Sequence, residues 1–181
     1  MAKLVSTTYG EALFELAAEN DREDELLSEV TALKELLKEN PEFGRLMNHP
    51  KVLKEEKLKV LEEVFSGRIS KDLLGFLHLV VTKDRYDEIE GILDFFIGKV
   101  KQHQGVGIAN VATAVSLNET QKREIENKLL STTSFSKMEM HYQVEEDLIG
   151  GMVIRIGDRV VDSSVKTKLF ELQRELLKVQ L

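Results

Sequence analysis

The side chains able to do chemistry in this chain are few and scattered. His49, His78, His103 and His141 fall on four separate expected elements. None has a second histidine or a cysteine three or four positions away, the spacing that sets two metal ligands on one helix face. With no cysteine in the sequence, thiolate nucleophiles, zinc–thiolate sites and disulfides are all excluded. Glu55-Glu56, Glu62-Glu63 and Glu145-Glu146-Asp147 concentrate carboxylates, but no glycine stands where a calcium loop turns. Solvated helix faces and helix starts account for these runs. Gly105-Val106-Gly107 opens like a dinucleotide loop, yet Asn110 occupies the third glycine position, and the pair precedes a strand instead of joining one to a helix. No Ser-His-Asp set or nucleophile elbow can be assembled. The expectation is therefore no catalytic residue, no metal and no cofactor.

One glycine-rich stretch remains, Leu148 to Asp162. Met152, Ile154 and Ile156 alternate with Val153, Arg155 and Gly157, the period of a strand with one buried face. Gly157-Asp158 between two apolar runs suits a two-residue hairpin turn, where glycine supplies the positive φ. Gly150-Gly151 marks a sharp bend or a close backbone approach. Gly150, Gly151, Gly157 and Asp158 thus read as structural turn residues, and a terminal helix follows from near Ser164.

The elements around this stretch are mostly helical. The chain has 181 residues, 42% hydrophobic and 31% charged, with only 2 prolines, as expected of a folded globular protein with long helices. A net charge of −7 argues against a nucleic-acid partner, because phosphate binding needs a concentrated basic surface. No apolar run approaches the roughly 20 residues needed to cross a bilayer, and Glu11 and Glu15 interrupt any signal-peptide core. A link to a membrane would have to run through another protein.

Residues 1–104 read as a six-helix bundle. Val5, Tyr9, Ala12, Leu13 and Leu16 form one stripe of a first helix. Asn20 with Glu23 suggests a capping box for a second, striped by Leu26, Val30, Leu33 and Leu37 and ended by Pro41. A short third helix covers Phe43 to Met47. A fourth runs from about Lys54 and stops at Gly67. Ser70 caps a fifth, with Ile69 and Leu74 placed as a hydrophobic staple. Asp84-Arg85 breaks it, and a sixth carries Ile89, Ile92, Leu93, Phe96, Ile97 and Val100. Residues 105–181 read as a smaller α/β domain. They contain an uncharged buried strand at 105–115, a helix capped by Asn118 and Gln121, an alternating strand at 138–144, the hairpin, and a last helix with Val165, Leu169, Leu172 and Leu176 on one side. The fold class is mainly α.

Apolar breadth is the informative anomaly. The fifth helix has Leu73, Leu74, Phe76, Leu77, Leu79, Val80 and Val81 around most of its circumference, whereas a helix covered on one side needs a stripe only about 100° wide. The first helix shows the same excess, with Leu4, Phe14 and Ala18 off its main stripe. Either these are the central helices of the bundle, or their outer sides form a groove for an amphipathic partner helix. The last helix mixes Lys166, Lys168, Arg174 and Lys178 with Glu171 and Glu175, as a solvated face or as an interaction face for a mixed-charge helix.

The run Leu148-Ile149-Gly150-Gly151-Met152-Val153-Ile154-Arg155-Ile156-Gly157-Asp158-Arg159-Val160-Val161-Asp162-Ser163-Ser164-Val165 closely resembles the signature of the bacterial ATP synthase delta-subunit family, whose mitochondrial counterpart is the oligomycin-sensitivity-conferring protein. Tyr9 to Ala17 resembles the first helix of that family, and Lys83-Asp84-Arg85 its basic break. The resemblance spans the whole chain. Two departures concern turns: Glu145-Glu146-Asp147 stands where Asp-Pro-Ser is frequent, and Ser163 where glycine is common. The resemblance implies a non-catalytic stator subunit of a rotary ATP synthase, held peripherally on the cytoplasmic face of the cell membrane. It implies that the N-terminal bundle binds the N-terminal helix of an alpha subunit between its first and fifth helices. On that basis Tyr9, Ala12, Leu13, Phe76, Leu79 and Val80 are the groove candidates. It further implies that the C-terminal domain holds the b subunits of the peripheral stalk, with Lys166, Leu169, Leu172 and Leu176 as contacts. The alternative is a helical adaptor unrelated to ATP synthase.

Overall fold

A computed structural model describes the backbone of residues 2–179 and the side-chain surroundings of residues 4–177. The side chain of Lys178 lies outside the described residues. The chain forms two compact units that divide between Val100 and Lys101, within the last turns of the sixth helix.

The first unit contains α1 (Ala2–Glu19), α2 (Glu23–Glu39), α3 (Pro41–Met47), α4 (Lys54–Phe65), α5 (Lys71–Thr82) and most of α6 (Ile89–His103), which follows a 3-10 turn at Tyr86–Glu88. Local signals set several boundaries. Ser70 accepts the Leu73 N–H at 3.3 Å and caps α5, while Ile69 and Leu74 both pack on the core as a staple would. Pro41 takes the first position of α3, where its missing N–H costs nothing. The capping box expected of Asn20 and Glu23 does not form. Helix α1 ends with the Arg22 N–H on the Ala17 carbonyl at 3.0 Å and the Asp21 N–H on the Ala18 carbonyl at 3.2 Å, with Asp21 at φ 53°. That left-handed closure turns Asn20 back onto its own helix, where its amide donates to the Leu16 carbonyl at 2.9 Å, and α2 starts three residues later at Glu23. Asp84 ends α5 in the same manner, also at φ 53°.

Leu13, Ala17, Leu26, Val30, Leu61, Leu73, Val80, Ile92, Leu93, Phe96 and Val100 are fully buried in one core. Helix α1 lies against α6 at backbone distance: a Cβ on Gly10 would stand 3.1 Å from the Ile92 carbonyl oxygen, and one on Gly91 would stand 2.7 Å from the Ser6 hydroxyl. On α4, Lys57 shares the buried side with Leu61 and Phe65. It is 8% exposed, and no carboxylate among the described residues is within ion-pair distance of it. A lysine can pack its stem in this way and still keep its ammonium in water.

The second unit contains β1 (Val106–Thr113), α7 (Glu119–Thr132), β2 (Lys137–Val144), a 3-10 turn at Glu146–Leu148, β3 (Met152–Ile156), β4 (Arg159–Asp162) and α8 (Val165–Val179). The sheet order is β2-β1-β3-β4, with β1 parallel to β2 and antiparallel to β3. Strand β1 therefore sits between two neighbours, which explains its uncharged sequence and the complete burial of Ala109 and Val111. Helix α7 supplies the crossover that a parallel pair requires, and it starts at a reciprocal capping box, Asn118 to the Gln121 N–H at 2.9 Å and Gln121 to the Asn118 N–H at 3.0 Å. On β3 the expected clean alternation is blurred. Met152, Val153, Ile154 and Ile156 are all half-buried, and only Arg155 is exposed.

Candidate partner-binding surfaces

The glycine corner holds the start of α8 in place. The Val165 N–H donates to the Gly150 carbonyl at 2.9 Å, and both the Ser163 N–H and its hydroxyl donate to the Met152 carbonyl at 2.9 Å. Gly151 sits at φ 76°, and a Cβ there would stand 2.4 Å from the Ser163 carbonyl oxygen, so backbone meets backbone where a side chain would be. Immediately before it, Ile149 is a β-branched residue at φ 66°, 66% exposed. Such a residue carries strain in that conformation. Gly157, at φ 55°, forms the hairpin turn with Asp158 as expected.

The first turn of α8 is closed by side chains. Ser164 accepts the Thr167 N–H at 3.2 Å, and Asp162 accepts from the Ser164 N–H and the Thr167 hydroxyl, each at 2.8 Å. The Ser164 backbone N–H, then the two hydroxyls, hold the Asp162 carboxyl below its ordinary range.

Beyond that turn the helix is uncovered. Every residue from Lys168 to Leu177 is exposed, including Leu169 at 52%, Leu172 at 56% and Leu176 at 70%. Leu169, Leu172, Gln173, Leu176 and Leu177 line an open apolar hollow. Val165, Leu169, Leu172 and Leu176 follow one another at intervals of four, three and four, the spacing of a coiled-coil seam. Each of these leucines forgoes half or more of the roughly 1.5–3 kcal/mol that full burial provides. Sequence reading overlooked Phe170 and Leu177, also exposed, which widen the stripe; their seven-residue separation on the adjoining row was the available signal.

The six groove candidates on the first unit divide into two sets. Leu13 and Val80 are completely buried and Phe76 is 7% exposed, so these three belong to the core of the bundle and offer no surface in this structure. Their stripe faces inward because α1 and α5 both feed the same cluster around α6. Tyr9 is half-buried against that cluster, while Ala12 and Leu79 are exposed. Leu4, at 72%, lies two turns before Ala12 on the same row of α1. Gly75, one turn before Leu79, has open space where a Cβ would stand, so a second helix could approach α5 closely there.

Among the described residues no group of histidines, cysteines and carboxylates could hold a metal; His78 lies on α5, His103 on α6, His141 on β2 and His49 in the loop between α3 and α4. The His78 Nε2 is buried without a hydrogen-bond partner, 3.8 Å from Glu62. No described helix is long and apolar enough to cross a membrane.

The family described as ATP synthase delta (OSCP) subunit matches residues 5–176 of this sequence. The chain belongs to that family. It is 51% identical, over the full length of both chains, to the ATP synthase subunit delta of Lachnoclostridium phytofermentans. It is 32% identical to that of Prochlorococcus marinus strain MIT 9301, over 96% of this chain and 97% of the relative. Its fold also matches a chain of the Toxoplasma gondii mitochondrial ATP synthase hexamer, with a TM-score of 0.76 over 95% of this chain and 97% of that one, at 19% identity. The chain is accordingly a structural stator component of a rotary ATP synthase, and an unrelated helical adaptor is not favoured.

Proposed function

We propose that the chain is a connector with one docking surface on each unit and no active site of its own. The first unit takes the N-terminal helix of an alpha subunit on the outer sides of α1 and α5, through Tyr9, Ala12 and Leu79. The second takes the b subunits of the peripheral stalk on α8, through Leu169, Leu172 and Leu176, with Lys166 beside them. The connection holds the alpha/beta head against rotor torque, and it brings the chain to the cytoplasmic face of the membrane only as part of the complex.

The observation that carries this reading is the uncovered stripe of α8. A helix with a coiled-coil seam and no cover in its own chain is built to be completed by another helix. The test uses the full-length chain with two probes, a synthetic alpha N-terminal helix and a soluble b-subunit fragment. Leu172→Asp with Leu176→Asp should weaken the b fragment at least about tenfold, because two buried apolar contacts are lost, and leave the alpha peptide unaffected. Ala12→Asp with Leu79→Asp should do the reverse. If both variants keep both affinities while remaining folded, the surfaces are wrongly assigned.

A further inference from the structure

A second recess lies on the first unit, lined by no residue of α1 or α5, where the end of α2, the middle of α3 and the 3-10 turn before α6 meet. Its volume is about 250 Å³. That is below the roughly 300–1,000 Å³ of cofactor and small-molecule sites, and suits a single side chain. Leu37 and Ile89 supply an apolar floor, and the exposed side chains of Asp87 and Glu90 line it together with Lys38. Neither carboxylate has an ion-pair partner among the described residues.

Two further features mark the recess as built for an occupant. Tyr86 lines it while only 5% exposed, and no described residue makes a hydrogen bond to its hydroxyl. Burial, and then the nearby Glu90 charge, push the phenol above its ordinary range, so the hydroxyl stays protonated beside an unneutralised carboxylate. The second feature is Gly44, in the middle of α3. A helix-interior glycine costs about 1 kcal/mol relative to alanine, and here nothing beyond its chain neighbours and its own helix backbone lies within 4 Å of the missing Cβ. Packing within the chain does not require a glycine at this position. Its effect is to leave the recess open.

We propose that this recess receives the guanidinium of an arginine side chain carried by a partner protein. The fit is chemical. Arginine presents five donors in a planar fork, enough for both carboxylates and the phenolic oxygen, and its flat face can lie on an aromatic ring. Its stem covers the floor formed by Leu37 and Ile89. The contact is separate from α8 and does not depend on the docking surfaces assigned above.

The experiment is a titration of the 15N-labelled full-length chain with N-acetyl-arginine methylamide at physiological ionic strength, alongside N-acetyl-citrulline methylamide, its neutral isostere. The arginine probe should shift the Gly44, Tyr86 and Ile89 amides, and citrulline should not. Asp87→Asn with Glu90→Gln should weaken the arginine probe about tenfold or more, the loss expected from removing charge-assisted bonds. Gly44→Leu should abolish binding by filling the recess. Should that variant unfold α3, the charge variant alone decides. Shifts spread over the acidic surface, equal binding of citrulline, or an unchanged affinity in the charge variant would each overturn the proposal.

Discussion

Replacing Gly151 with alanine tests whether the glycine corner controls the start of α8. Two costs act together. The φ of 76° places a residue with a Cβ in the left-handed region, at about 1–2 kcal/mol. The new methyl also meets the Ser163 carbonyl oxygen at 2.4 Å and the Ser164 Cα at 3.1 Å. Both are backbone atoms, so neither can swing aside as a flexible side chain would, and enforced overpacking adds about 1–3 kcal/mol. Alanine restricts the unfolded chain, which offsets about 0.4–1 kcal/mol. The net expectation is a loss of about 3 kcal/mol. With two units in one chain a single unfolding midpoint is not well defined, so the assay is amide hydrogen exchange. Exchange of the β1 and β3 amides should quicken by roughly two orders of magnitude, while amides of α6 between Ile92 and Val100 stay unchanged. Gly157→Ala is the control. Gly157 also has positive φ, at 55°, but its Cβ would meet nothing within 4 Å. It should cost about 1 kcal/mol or less. If the two alanines cost the same, the close approach at Gly151 contributes nothing and the reasoning fails.

Three further outcomes follow from other positions. Ile149→Gly should stabilise the second unit by about 0.5–1 kcal/mol, because it relieves left-handed strain at an exposed site; a loss of stability in the same exchange assay would show that the isoleucine side chain contributes more than its backbone costs. Lys57→Met keeps the packed stem and removes an unpaired ammonium, so exchange of the α6 amides between Ile92 and Val100 should stay level or slow by the roughly fivefold that about 1 kcal/mol provides; a clear quickening would reveal a partner for the ammonium. The depressed Asp162 carboxyl strengthens the first turn of α8 at pH values above its ordinary value of 3.8, and that support is lost as pH falls through the lower folded value. Amide shifts of Ser164 and Thr167 should therefore change on acidification below that value in the wild-type chain and stay flat in Asp162→Asn.

The legible parts of the fold were those decided within a few residues. Ser70 and the Asn118–Gln121 pair cap their helices because donor and acceptor are three residues apart, and Gly157-Asp158 makes its turn because only local φ matters. Asn20 misled because it could cap the second helix or return to the first, and the left-handed closure at Asp21 decides for the latter. The apolar excess on α1 and α5 was visible, but a broad stripe does not reveal which of its residues face a core assembled from six helices. Leu13, Phe76 and Val80 face it, while Ala12 and Leu79 face outward. On α8 the stripe itself was plain at Leu169, Leu172 and Leu176. Its lack of cover was not, since exposure depends on whether another element folds over it. The recess at Tyr86 was illegible for a related reason: α2, α3 and the turn before α6 come together only in three dimensions.

In mechanical terms α8 is a cantilever. From Lys168 to Leu177 none of its residues is covered by the rest of the chain, and its base is fixed by the Gly150 and Met152 carbonyls and by the Asp162–Ser164–Thr167 bonds. A force applied along the helix enters the domain through the chain, those bonds and the packing of its base on the 3-10 turn at Glu146–Leu148, next to the β3–β4 ladder, before it reaches the buried centre of the sheet. The stiffness of this joint is therefore set at its base, whereas the length and chemistry of the exposed arm can vary without altering it.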